Sequence, residues 1–420
     1  MNYKAPRGTH DLWGMQAEKI QHLESLGRQQ FRRYNYSELR FPTFEDAGLF
    51  TRSLGDTSDI VEKEMYVFTD RKERKLALRP EGTASVVRAY LEHQLAQQLP
   101  LGKFFYMGSM FRYERPQAGR YREFFQIGAE YFGNPSPVAD AEIILLSRDI
   151  LAAMGLKEIK VHLNTLGCPE CRAAFRKALT DYFSPENVQR MGELCGDCKR
   201  RIERNPLRVL DCKIDGSRFT GLPKMETYLC EECRVHFCRV QELLGKGNCD
   251  FHIDHRMVRG LDYYTRTIFE IRSSSVGSQD ALAAGGRYDN LVKELGGSPT
   301  PAVGFALGSE RVVLAADNSG VSTYRDQKRV IFVAAVSPAL EKDAFAIAAM
   351  LRAQGSAATI EGPYAEKSLK SQMKLADKLN AETTIILGEE ELKRNMVLVR
   401  NMKTQEQSEV SIENIIEKCI

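Results

Sequence analysis

The chain has 420 residues, with 59 Lys and Arg against 56 Asp and Glu and a formal net charge of +3. That length accommodates about two to four domains with sizeable cores. The near balance of charge excludes nucleic-acid binding through a field spread over the whole surface, so such a partner has to meet local basic faces.

No uninterrupted apolar run approaches the roughly 18 residues of a membrane span, and the opening MNYKAPRGTHDLWG lacks the apolar core of a secretory signal. The expectation is a cytoplasmic protein with no membrane partner. Its ten cysteines then read as reduced thiols or metal ligands in preference to disulfides.

In chain order, Ile20, Leu23, Leu26, Phe31 and Tyr34 recur near the helical period, predicting a helix that ends before a strand over Glu38–Pro42. Pro42 confines that strand to a sheet edge or end. Phe104 to Phe132 comes next, two β-prone aromatic runs bracketing a loop with Pro116 and Gly119, and reads as a long antiparallel hairpin. Arg112, Arg115, Arg120 and Arg122 lie along it. Guanidinium groups gathered at one turn repel one another, which suits an anionic phosphate or carboxylate ligand, although a solvated basic hairpin fits as well. Asp140 to Met154 reads as an apolar-striped helix.

From about 160 the texture changes to cysteines and charged, helix-prone stretches such as Arg172–Tyr182. Cys168-Pro-Glu-Cys171, Cys195-Gly-Asp-Cys198 and Cys230-Glu-Glu-Cys233 are three CxxC pairs, with Cys212 and Cys238 nearby. Two pairs suffice for a tetrahedral thiolate zinc site, so three are one too many. Structural zinc and unliganded thiols both remain open, and redox chemistry ranks third because no thioredoxin-like strand and helix surround a pair.

Beyond 250, Arg259-Gly-Leu-Asp-Tyr-Tyr-Thr-Arg-Thr-Ile-Phe-Glu270 predicts a strand whose entry puts Arg259 at a pocket mouth. Gly304-Phe-Ala-Leu-Gly-Ser-Glu-Arg311 predicts a strand passing into a helix at Ser309, with Arg311 in its first turn. Arginines from three separate elements could thus meet at one triphosphate. Asp317 to Asp326 is polar and linker-like. Val330–Val336, Leu340–Gln354, Ala357–Ile360 and Thr383–Leu387 alternate buried strand and helix, predicting a small α/β domain with a largely parallel sheet. Lys367, Lys370, Lys374 and Lys378 share one helical face, either a solvated stripe or a phosphate-backbone contact. Four segments result: 1–160 and 251–322 as a split catalytic domain, 161–250 as a cysteine-rich insertion, and 328–420 as a terminal domain.

FRYERP (111–116) with GRYREF (119–124) resembles the second motif of class II aminoacyl-tRNA synthetases, and GFALGSER the third. RGLDYYTRTIFE, Gly285-Gly-Arg-Tyr-Asp289, Arg79-Pro-Glu-Gly-Thr83 and Gln126-Ile-Gly-Ala-Glu130 are similar to segments of histidyl-tRNA synthetases of the bacterial type. The resemblance covers nearly the whole chain. It implies an α+β catalytic domain built on an antiparallel sheet, a helical insertion and a C-terminal α/β anticodon-binding domain. The implied activity is a histidine–tRNA ligase that makes histidyl-adenylate from L-histidine and ATP, with Mg2+, and charges tRNA(His). The N-terminal helix and strand would form a homodimer interface.

By the same resemblance Arg112 holds the α-phosphate and the substrate carboxylate, Arg120 the outer phosphates, and Arg259 approaches the α-phosphate from the other side as the main electrostatic catalyst. Phe124 and Arg311 would sandwich the adenine. Glu114 would contact Mg2+ or the adenine amino group, or else merely pair with an arginine. Glu81, Gly82, Thr83 and Gln126 surround the α-amino group, Glu130 and Tyr264 pair with the imidazole nitrogens, and Tyr263 and Tyr288 shape the pocket. For transfer to tRNA, a phosphate oxygen of the adenylate would accept the proton. The insertion, through Arg200, Arg201 and Arg204, would lean on the tRNA acceptor arm. The rival is a catalytically silent relative that binds an ATP phosphoribosyltransferase; RGLDYY, the motif arginines and the terminal domain argue against it.

Overall fold

The computed structural model describes residues 3–55, 58–99, 101–117, 119–191, 194–212, 214–321, 330–360 and 367–419. The chain divides into two compact units, residues 1–324 and 325–420.

In the first unit the strands are β1 (Ser37–Glu38), β2 (Phe44–Asp46), β3 (Val67–Thr69), β4 (Lys75–Leu78), β5 (Gly102–Phe111), β6 (Glu123–Phe132), β7 (Ile159–Thr165), β8 (Phe251–Ile253), β9 (Thr265–Ser273), β10 (Ala281–Arg287) and β11 (Ala302–Gly308). Eight of them form one sheet in the order β1-β5-β6-β11-β10-β9-β7-β8. The six central strands pair antiparallel, and β1 and β8 join the two edges in parallel. Strands β2, β4 and β3 make a small separate antiparallel sheet.

The predicted hairpin is present, with β5 and β6 in register from Gly102 opposite Phe132 to Phe111 opposite Glu123. Successive side chains alternate between the faces of a strand. Phe105, Ile127, Ala129 and Tyr131 therefore point to one face, where they pack with Leu23 and Phe31 of the N-terminal helix (Met15–Arg33) and with Ile143 and Ile150 of the helix Pro137–Ala153. The opposite face carries Phe124, Gln126, Gly128 and Glu130. One face holds the structure together and the other is free for chemistry.

Three expectations for the first unit need correction. The strand predicted over Glu38–Pro42 is only Ser37–Glu38, at the sheet edge as Pro42 requires. The division drawn between residues 160 and 161 cuts β7, which bonds to β9 in the main sheet, so the insertion begins after Thr165. Its helices include Pro169–Tyr182, Gly196–Arg204 and Glu231–Lys246. Asp317 and Asn318 close the helix Ser309–Asn318 and are not linker; residues 322–329, the rest of that expected linker and the stated ends of the flanking domains, lie outside the described residues.

The second unit holds β12 (Val330–Ala335), β13 (Ala357–Ile360), β14 (Thr383–Leu387), β15 (Met396–Asn401) and β16 (Gln407–Ser411). The order is β13-β12-β14-β15-β16. The first three are parallel, but β15 and β16 add antiparallel, so the sheet is mixed and not largely parallel. Only the parallel strands need helical crossovers, and the helix Glu341–Ala353 packs Ala344, Ile347 and Leu351 against this sheet. Lys370, Lys374 and Lys378 lie exposed on or at the end of the helix Leu369–Lys378, with Lys367 just before it. Among the described residues no helix is long and apolar enough to cross a membrane.

Candidate active site

On the free face of the main sheet lies a cavity of about 510 Å3. The hairpin brings Arg112, Glu114, Arg120, Phe124 and Gln126 into its lining. The segment entering β9 brings Arg259, Tyr263 and Tyr264, and the β11–helix junction brings Arg311. The three separate elements predicted to supply arginine do converge on one hollow.

Each guanidinium is held. Arg112 donates from Nε to the Pro80 carbonyl at 2.8 Å and lies over the Phe124 ring, 5.4 Å from its centroid. Arg311 donates from Nε to the Gly119 carbonyl at 2.9 Å and from Nη1 to the Ala281 carbonyl at 3.2 Å, tying the hairpin loop to the third motif. Arg120 pairs with Glu114 at 2.9 Å, and Arg112 is 3.9 Å from the same carboxylate. Arg259, about one-fifth exposed, pairs with Glu270 on β9, which also holds Arg272 at 2.7 Å. Among the described residues Arg120 Nε, Arg259 Nε and Gln126 Oε1 are buried without a hydrogen-bond partner, the pattern of a polar pocket shaped for a ligand.

The inner end is different in character. Glu130 is 1% exposed; its Oε1 accepts from Thr83 Oγ1 at 2.7 Å and its Oε2 from Tyr288 Oη. Burial pushes its carboxyl up to about 8, outweighing these two donors. The Tyr263 ring centroid is 4.7 Å from that of Tyr264 and 5.6 Å from that of Tyr288. Gly304 stands opposite Glu130 in register, and a Cβ there would overlap the Glu130 carboxylate.

Two residues expected at the α-amino group have structural roles of their own. Glu81 lines the cavity, but its carboxylate accepts from the backbone N–H of Thr83 at 2.7 Å and of Ala84 at 2.9 Å, capping the helix Thr83–Glu92. Gly82 is absent from the lining; a Cβ would collide with the Tyr106 ring, so packing accounts for the glycine. In the Gly285–Asp289 segment, Tyr288 turns to the cavity while Arg287 turns away and pairs with Asp140.

Sequence reasoning missed Glu270, Asp211 and Glu310. All three line the cavity; alternation along β9 from Ile268 was the signal for Glu270, and Asp211 carried none. Glu310 accepts from the backbone N–H of Phe125 at 2.9 Å, replacing a strand partner where β11 has ended, and burial pushes it up to about 7.

In the insertion, the thiols of Cys168, Cys171, Cys230 and Cys233 lie within 4.8 Å of one another, and so do the ligand atoms of Cys195, Cys198, Cys212 and Asp215. Arg201 is 3.6 Å from Asp59 and Arg204 is 3.6 Å from Glu62, while Arg200 pairs with Asp197.

A six-stranded antiparallel core with parallel edges, carrying an arginine-lined cavity at a long hairpin and a strand-to-helix junction, is the catalytic unit of a class II aminoacyl-tRNA synthetase. Residues 8–312 match the family model of histidyl-tRNA synthetase, and residues 330–420 match that of an anticodon-binding domain. A histidine–tRNA ligase from Endomicrobium trichonymphae is 53% identical over 416 residues, covering 98% of this chain and 99% of that protein. The crystal structure of apo histidyl-tRNA synthetase from S. aureus superposes with a TM-score of 0.82 at 32% identity, covering 99% of both chains. A Bacillus halodurans structure titled as an ATP phosphoribosyltransferase regulatory subunit/histidyl-tRNA synthetase shares the fold, with a TM-score of 0.67 at 19% identity over 92% of this chain and 98% of that one. The chain belongs to the histidyl-tRNA synthetase family. It is a histidine–tRNA ligase, activating histidine with ATP and transferring it to tRNA(His).

Proposed function

We propose that the cavity is where histidyl-adenylate forms and that its residues divide the work along its length. The convergence of Arg112, Arg120, Arg259 and Arg311 on one hollow carries this reading. Attack of the histidine carboxylate on the α-phosphate brings two anions together, and fixed cations lower the barrier where that charge accumulates. Arg112 and Arg259 flank the reacting carboxylate and α-phosphate, and Arg120 takes the outer phosphates as pyrophosphate leaves. The adenine lies between Phe124 and the Arg311 guanidinium, two flat faces suited to a flat ring.

Thr83 and Gln126 hold the α-amino group, and Glu81 reaches it with the lone pairs that its helix cap leaves over. Glu130 and Tyr264 pair with the imidazole, and Tyr263 and Tyr288 close the walls. An apolar analogue entering that end would leave these polar groups unpaired, which supports selection of histidine. Gly82 serves by fit and not by contact.

Mg2+ belongs to this reading. The oxygen donors Glu114 and Glu270 in the lining suit a hard cation, which when bound with ATP would offset phosphate charge. A structural zinc ion at Cys168, Cys171, Cys230 and Cys233 is supported by that four-thiol cluster. The family supports a cytoplasmic homodimer, tRNA contacts by the insertion arginines, and anticodon contacts by the lysine stripe on the Leu369–Lys378 helix.

Arg259→Ala should lower histidine-dependent pyrophosphate exchange by roughly a hundredfold or more, as loss of one preorganised charge contact does, with unchanged thermal unfolding. Exchange at the wild-type rate would remove Arg259 from the catalytic role.

A further inference from the structure

The insertion has a cysteine pair left over once Cys168, Cys171, Cys230 and Cys233 are grouped. Its partner is not a fourth CxxC but Cys212-Lys-Ile-Asp215, the same spacing with a carboxylate in the last position. We propose that Cys195, Cys198, Cys212 and Asp215 hold a second zinc ion, which fixes the wall of the active-site cavity beside Arg259.

The local geometry repeats that of the four-thiol cluster. Cys168, Cys230 and Cys195 each precede the first turn of a helix, and the second cysteine of each pair lies within that turn. Thiolates there face the positive helix end. Cys195 Sγ accepts from the backbone N–H of Cys198 at 3.4 Å, and Cys212 Sγ accepts from that of Asp215 at 3.3 Å. These bonds aim the remaining sulfur lone pairs inward. Cys195 Sγ and Cys212 Sγ are 3.7 Å apart. A tetrahedral zinc with bonds of about 2.3 Å needs sulfurs about 3.8 Å apart, whereas a disulfide needs about 2.0 Å.

Asp215 is 1% exposed. Its Oδ2 accepts from the Cys195 backbone N–H at 2.9 Å and its Oδ1 is 3.1 Å from Arg218 Nη1. The carboxylate is thereby oriented, as outer-shell bonds orient metal ligands, and each oxygen keeps a lone pair. Three thiolates and a carboxylate around Zn2+ carry a net charge of −2, which Arg218 partly offsets. Soft sulfur donors in a tetrahedral arrangement select zinc over calcium or magnesium.

The site sits next to the chemistry. Asp211, which lines the active-site cavity, immediately precedes Cys212. Arg208 donates to the carbonyl of Gly260, the neighbour of Arg259, and pairs with Asp59 at 3.6 Å. An ion that locks the turn from Cys212 to Asp215 onto the helix Gly196–Arg204 therefore positions Asp211 and the backbone beside Arg259.

The proposal builds on the reading of a zinc ion at the four-thiol cluster, and metal stoichiometry separates the two. The full chain, purified with reductant and without chelator, should contain two zinc ions per chain by elemental mass spectrometry. The Cys195→Ala/Cys212→Ala double variant should contain one. One ion per wild-type chain that the double variant keeps, or two in the double variant, overturns the second site and leaves the first; one that the double variant loses overturns the first alone, and none overturns both. If the double variant does not fold, X-ray absorption of the wild-type protein decides. A first shell of seven sulfurs and one oxygen summed over the two ions supports the site, and sulfur alone overturns it.

Discussion

Glu130 shows how one residue's environment sets its behaviour. Its carboxyl is buried among Thr83, Tyr288 and the backbone opposite Gly304, and burial lifts it to about 8 from an ordinary 4.5. The folded state therefore keeps a proton that the unfolded chain loses. Stability from this group is complete below about 4.5 and declines as pH rises towards 8, by up to about 1.4 kcal/mol per pH unit inside that window. Glu130→Gln removes this slope while preserving a side chain of the same shape. Thermal unfolding across pH 5 to 8.5 should find the variant gaining on the wild type as pH rises, with the Glu310 contribution common to both. The same variant should raise the KM for histidine at least tenfold, because the amide cannot ionise to the carboxylate that pairs with a bound imidazole N–H; a KM within twofold would separate Glu130 from recognition.

Among elements, the helix Pro137–Ala153 is locked to the sheet by a buried pair, Asp140 with Arg287, and His236 Nε2 approaches Asp140 at 3.4 Å. Burial opposes ionisation of Asp140, but the Arg287 guanidinium prevails and holds it down at about 2. Its contribution to stability is thus full above about 4 and lost as pH falls towards 2. Asp140→Asn leaves the Arg287 guanidinium, 0% exposed, with only the part-exposed Asp289 carboxylate at 3.1 Å to offset it, so urea unfolding near neutral pH should register a loss of about 3 kcal/mol, the low end for a broken buried pair. Pyrophosphate exchange at low temperature should be little affected, since Arg287 faces away from the cavity. That pair also marks where the sequence stopped being legible. The hairpin, the strand–helix junction at Ser309 and the free face of β6 follow from local pattern and turn chemistry. Arg287 sits in a segment that resembles histidine-binding elements, yet alternation along the chain sends it to the opposite face from Tyr288. Which of two neighbours faces the ligand depends on strand register, set by Gly285 and Gly286 packing against the adjoining strands. The grouping of cysteines likewise depends on helices brought together over some sixty residues, and CxxC spacing alone does not encode the partner.

For the whole molecule, the division of labour follows the division of cores. Every residue lining the cavity falls between Glu81 and Arg311, and the second unit has hydrophobic clusters of its own, around Ile331, Leu351 and Ile385 and around Phe332 and Ile386. Among the described residues, the contacts proposed for adenylate chemistry and histidine selection draw no side chain from residues 330–420. The anticodon-binding match spans those residues, so their removal is expected to subtract tRNA contacts and to leave the activation site whole. A chain ending at Val321 should retain histidine-dependent pyrophosphate exchange within about threefold of the full chain. Charging of tRNA(His) at limiting tRNA should fall by tenfold or more, because lost binding energy of about 1.4 kcal/mol already costs that factor. The two assays on one preparation make the outcome decisive. Equal loss of both activities would tie the catalytic unit's integrity to the second unit, and full retention of charging would deny that unit a part in tRNA recognition.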